Sequence, residues 1–329
     1  MENKIKESKH IKEIKTEQEI FTLCKIDNNS KIAIGMSNSL LTIYTSDLST
    51  KLITIENLPS YYFTELSRRT NRNGIKLLCC SYSYQIKIVE LIFKNNNKVD
   101  YIILYTIEPN ESRNEIGKAI ELNNEDKNIA SIDEQNIIIY KLVNNINYFE
   151  IKKINVDGAN DIININDKKF CVSLKNKGIL DFYDNTTFNL VSRIKNIESY
   201  GCNNYICKLN ENLLCIGGFE YISLIDIDFK QINNKMQLIK YKERITCTCV
   251  VIEQKLLITG TKYKNELINE FEFFYDIVIY KLNIDNVLQE IKRFQNAHDK
   301  IINSIIYING NIISCSEDKK IKVWSLLGI

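Results

Sequence analysis

The chain has 329 residues, 44% of them apolar and 26% charged, with 43 basic side chains against 41 acidic ones. This is a globular composition, and a net charge of +2 supplies no field that would steer the protein toward nucleic acid or an anionic membrane. Prolines (2) and glycines (11) are scarce, so asparagine takes their place in most turns.

The first residues, MENKIKESKHIKEIK, are charged throughout, so no secretory leader is expected, and no apolar run approaches the length of a membrane span. A cytoplasmic or nuclear protein is expected, not a secreted one. Its ten cysteines lie mostly inside apolar runs such as KLLCC (76–80) and ITCTC (245–249). In a reducing compartment they read as small buried hydrophobes, not as disulfides or zinc ligands.

Strand patterns then follow one another along the chain. KHIKEIKTEQ (9–18) alternates polar and apolar residues. A first unit (19–59) carries LTIY, ending at Tyr44, then KLITIE (51–56). A second (60–110) carries IKIV, ending at Val89, an insertion FKNNNKVD (93–100), and YIILYTI (101–107). A third (111–156) has IIIY, ending at Tyr140. The fourth (157–198) shows the grammar in full: DIININD (161–167), KKFCVSL (168–174), GILDFYD (178–184) with its anchor at Tyr183, and FNLVSRI (188–194). The fifth (199–243) repeats it through YICKLNE, NLLCIGG and YISLIDI, anchored at Ile225. The sixth (244–296) is longest, with IVIY ending at Tyr280 and VLQEIKRF (287–294). The seventh (297–329) ends in KIKVWSL (320–326), anchored at the only tryptophan, Trp324.

The anchors recur every 42 to 55 residues. Near-continuous apolar second strands predict burial on both faces, and alternating outer strands predict one wet face. Four antiparallel strands per unit, seven times over, is the period of a β-propeller blade. The segment AHDKIINSIIYINGNIISCSEDKKIKVW (297–324) resembles the WD-repeat family through His298, Ser314, Asp318 and Trp324. That resemblance implies a seven-bladed, all-β ring in which these four side chains form a hydrogen-bonded structural tetrad. The other six units lack the tryptophan, so packing between blades must supply most of their stability. The seventh unit lacks an outer strand, and residues 1–18 are expected to close the ring in its place.

Catalytic motifs are missing. Ser314, His298 and Asp318 invite a hydrolase reading, but there is no G-x-S-x-G elbow, and Ser314 falls within a buried strand pattern. There is no phosphate-binding or dinucleotide fingerprint, no repeated acidic spacing for calcium, and therefore no expected metal or cofactor. The one Arg pair, Arg68-Arg69, departs from the aromatic and glycine flanks of lipid-binding propellers and reads as a solvated turn.

The loops of one ring face are aromatic: Tyr61, Tyr82, Tyr84, Tyr200, Phe219, Tyr221 and Tyr263. Tyrosine gives contact area and a hydrogen bond at low entropic cost, so these are candidate partner-binding residues. The sixth unit adds a possible acidic contact hairpin at Glu266, Glu270 and Glu272. The expected function is a non-enzymatic scaffold that binds other proteins or peptides within a hetero-complex. Alternatives are a ubiquitin-ligase substrate receptor and a propeller-type hydrolase.

Overall fold

The computed structural model describes residues 10–59, 62–66, 74–80, 85–94, 98–108, 117–122, 125–144, 146–175, 178–195, 197, 205–227, 236–264 and 273–326; residues 65, 219–221, 236–243 and 264 are described by backbone alone. β1 (Lys12–Lys15) precedes the first blade, which is β2 (Ile20–Ile26), β3 (Lys31–Met36), β4 (Leu40–Thr45) and β5 (Lys51–Ile55). β6 (Tyr62–Glu65), β7 (Ile75–Cys80), β8 (Ile86–Phe93) and β9 (Val99–Ile107) form the second. β10 (Lys118–Glu121), β11 (Ile129–Ile132), β12 (Asn136–Val143) and β13 (Asn147–Asn155) form the third. β14 (Ala159–Asn166), β15 (Lys169–Leu174), β16 (Ile179–Asp184) and β17 (Leu190–Ile194) form the fourth.

The fifth and sixth blades share a strand. β18 (Tyr205–Asn210), β19 (Leu213–Gly217) and β20 (Phe219–Asp226) lead to β21, which runs unbroken from Met236 to Val251. Its first half pairs with β20 (Met236 opposite Ile225) and its second with β22 (Leu256–Lys264; Val251 opposite Leu256). The unit boundary expected after residue 243 therefore lies inside a strand. β23 (Phe273–Leu282) and β24 (Leu288–His298) complete the sixth blade. β25 (Ile302–Ile308), β26 (Asn311–Ser316) and β27 (Lys320–Ser325) supply three strands of the seventh, and β1 is the fourth, with Lys12 opposite Val323 and Lys15 opposite Lys320.

Alternation decides where the core sits. Successive residues point to opposite faces, so one strand feeds two interfaces. In β3, Ile32, Ile34 and Met36 pack on Ile313 and Ile321 of the seventh blade, while Ala33 packs toward Leu77 and Val89 of the second. Each neighbouring pair of blades encloses its own apolar cluster in this way, seven around the ring. The second strands β11 and β19 are buried at every position.

The blades also repeat a backbone irregularity that no residue type announces. Where the third and outer strands pair, the register slips at the anchor itself: at Tyr44, Val89, Tyr140, Tyr183 and Tyr280. A bulge there adds local twist, which splays each sheet. β13 alternates exposed and half-buried positions along its whole length. β9 does not: Tyr101, Ile102 and Ile103 are all exposed, against the expectation of a polar outer face. Among the described residues there is no helix long and apolar enough to cross a membrane.

Candidate functional site on the sixth and seventh blades

β24 carries the chain to His298, and the β26–β27 turn carries Asp318 back to meet it. Trp324 Nε1 donates to Ser314 Oγ at 2.9 Å. An indole nitrogen can only donate, so the serine hydroxyl hydrogen is left for His298 Nε2, 2.7 Å away. With that nitrogen bare, Nδ1 donates to Asp318 Oδ2 at 2.9 Å. The chain of bonds then runs one way through a neutral imidazole, the form that burial favours. Burial does lower the His298 pKa from its ordinary 6.5. Burial works the other way on Asp318, but His298 and the backbone N–H groups of Asp299 and Lys320 outweigh it and hold the carboxyl at about 2.

Ser314 is 0% exposed and both its partners are in place, so its hydroxyl has no open approach for a substrate. Trp324 packs on Phe294 of the sixth blade (ring centres 4.9 Å apart), and His10, just before β1, meets it edge-on at 5.6 Å. Both histidines of the chain thus converge on its lone tryptophan. By strand register, the positions matching Ser314 and Trp324 are Ser131 and Tyr140 in the third blade and Thr259 and Tyr280 in the sixth. The matching pairs elsewhere are Ile34 and Tyr44, Cys79 and Val89, Val172 and Tyr183, and Ile216 and Ile225.

Beside the Asp318 turn stands the β22–β23 hairpin, paired over nine rungs out to Lys264 opposite Phe273. Tyr263 stacks on Phe274 at 5.5 Å, and the Lys262 ammonium sits 4.0 Å above the ring of Phe273. Tyr275, opposite His298 in the ladder, joins the hairpin to the tetrad. Next to it Glu317 has its pKa raised by burial and then by Glu19 of the first blade, with Lys300 and Lys262 opposing. Aromatic faces and mixed charge therefore meet where the sixth, seventh and first blades adjoin.

Three of the expected contact residues lie in strands and not in loops. Tyr263 lies in β22, and Phe219 and Tyr221 lie in β20, which starts two residues after β19 ends. Here the strands extend farther than their polar residues suggest. Tyr61, Tyr82, Tyr84, Tyr200, Glu266, Glu270 and Glu272 lie outside the described residues, as do Arg68 and Arg69. Among the described residues no group of three His, Cys, Asp or Glu side chains could hold a metal ion. Nine described cysteines are free, and burial pushes the Cys80 and Cys247 thiols up to about 12.

One polar constellation has no counterpart in the sequence patterns. Asp161, at the head of the innermost strand β14, accepts from Lys118 Nζ of the third blade at 2.7 Å and from the Ile206 N–H of the fifth at 2.9 Å. Lys118 in turn lies 4.9 Å from the Tyr62 ring of the second blade. Four blades are tied through one carboxylate. Similar side-chain bonds join inner strands elsewhere: Thr246 to the Ile302 carbonyl (2.7 Å) and Asn303 to the Ile20 carbonyl (2.9 Å).

Among solved structures, the beta-propeller domain of Cps50 (Swd1) from Myceliophteria thermophila matches with a TM-score of 0.70 at 12% identity, over 97% of this chain and 99% of that one. The ring is a β-propeller. Sqt1 of Saccharomyces cerevisiae matches with a TM-score of 0.65 at 9% identity, again over 97% of this chain and 99% of its own. At these identities the likeness is one of fold. No protein-family model matches the chain, and no curated protein matches it.

Proposed function

We propose that this propeller is a WD-repeat-like, non-catalytic platform that binds a protein or peptide partner on the face where the sixth and seventh blades meet. The observation that carries the reading is the hairpin of Lys262, Tyr263, Phe273 and Phe274 standing against the pinned Asp318 turn. Aromatic side chains on a rigid support are what interaction surfaces use for affinity. The sealed Ser314 hydroxyl supports the non-catalytic part of the reading.

The test is affinity purification from the native cell with mass spectrometry, comparing wild type with a folded Tyr263→Ala, Phe273→Ala variant. Partners recovered with wild type and lost with the variant support this face. Partners retained move the site elsewhere on the ring, and the absence of any partner reopens an enzymatic role.

A further inference from the structure

Outer strands end each sheet with open backbone groups, and proteins commonly blunt such edges with charge. Five of the outer strands here do so: Lys51 in β5, Lys152 and Lys153 in β13, Arg193 in β17, Lys292 and Arg293 in β24, Lys12 and Lys15 in β1. β9 reads VDYIILYTI. Its one charge, Asp100, is paired with Lys94, and nothing from Tyr101 to Ile107 is charged.

Tyr101 is 43% exposed, and Ile102 and Ile103 are 42% exposed. β9 keeps unbroken register with β8 from Val99 to Ile103 and slips only at Leu104. Within that regular stretch, Tyr101 and Ile103 point to one face of the sheet and Ile102 to the other. A body resting on either face would cover only part of this group. A strand laid alongside, in the plane of the sheet, covers both faces and takes up the open N–H and C=O groups.

We propose that β9 is a self-association edge, through which two copies of the chain pair antiparallel about a two-fold axis at Ile102. The second copy is favoured because the edge complements itself. A two-fold at Ile102 sets Ile102 opposite Ile102, Tyr101 opposite Ile103, and Asp100 opposite Leu104. The three exposed side chains cover one another, aromatic against branched, and no like charges meet. The apolar surface continues onto the third blade, where Tyr105 meets Tyr148 edge-on at 5.3 Å and Phe149 and Ile151 beyond it are exposed. A stable dimer covers about 800 Å² on each copy, and one strand edge lies at the small end of that range, so the dimer dissociates on dilution. This inference goes beyond the platform reading and does not depend on it.

Sedimentation velocity of the full chain over a concentration series reads the result. Wild type is expected to shift from monomer toward dimer. Ile102→Lys, which sets two ammonium groups face to face on the axis, is expected to weaken association by at least about tenfold. Ile284→Lys, on the far-off β23–β24 turn where Ile284 is 92% exposed, leaves it unchanged. Ile102→Cys is expected to give a covalent dimer with oxidised glutathione. A wild type that stays monomeric overturns the proposal, and so does a dimer that survives Ile102→Lys or fails to cross-link through Ile102→Cys.

Discussion

Trp324 Nε1 lies 2.9 Å from Ser314 Oγ, and through that hydroxyl the indole is tied to His298 and the Asp318 turn. Ser314→Ala would leave a buried N–H and a buried ring nitrogen without partners. Each orphan costs about 1–3 kcal/mol, so a loss of roughly 2–6 kcal/mol in urea unfolding is expected. Trp324→Phe removes the donor with the ring's polarity and should still leave Ser314 and His298 bonded. A Ser314→Ala protein as stable as wild type would show that the tetrad contributes little.

Acid should unfold the ring in two stages. His298 binds its proton less readily when folded than its ordinary 6.5 implies, so the unfolded state protonates first and stability falls as pH drops below that value. Asp318, at about 2 folded against 3.8 ordinarily, contributes roughly 2 kcal/mol that is present above pH 4 and lost between about 4 and 2. Thermal midpoints measured from pH 7 to pH 2 read both stages, and Asp318→Asn should flatten the second.

Removing Asp161 should destabilise more than any single blade can account for. Asp161→Ala strands the Lys118 ammonium and the Ile206 N–H, and breaking a buried ion pair costs about 3–5 kcal/mol. Adding Lys118→Met to that variant should recover part of the loss in equilibrium unfolding. No recovery would mean that the carboxylate acts through the backbone bond alone.

The N-terminal strand should be needed for closure. Deleting residues 1–17 uncovers the β27 edge and takes away the His10 ring that flanks Trp324. A clear drop in the unfolding midpoint is expected by calorimetry. An unchanged midpoint would mean that β27 tolerates an open edge.

The repeat was legible because burial forces it. A strand flanked by two neighbours must be apolar on both sides, so NLLC stands out, and a large anchor such as Tyr183 or Trp324 recurs on the third strand of five of the seven blades. The tetrad was legible because four uncommon partners fall at one spacing. Asp161 and Lys118 were not, since a lone carboxylate and a lone lysine in separate inner strands look like solvated positions until the ring brings their blades together. Nor was the unbroken course of β21. Polar residues such as Lys240, Lys242 and Arg244 resemble a connection, yet the strand runs through them, with Lys240 paired to Tyr221 and Arg244 to both Phe219 and Lys262. The expected loop placement of Tyr263 failed for the same reason: a hairpin supported by aromatic stacking and by Lys262 over Phe273 outgrows its blade.

The pairing of β1 with β27 sets an order of events in the cell. β1 leaves the ribosome long before its partner exists, because almost the whole chain separates them. Through that time it must neither aggregate nor pair with one of the edges forming behind it. Its run KEIK, charged at three of four positions, suits a segment that has to wait in water. Ring closure is then the last and longest-range step of folding, and a slow one on topological grounds. Until β27 has been made, the ring is an open arc.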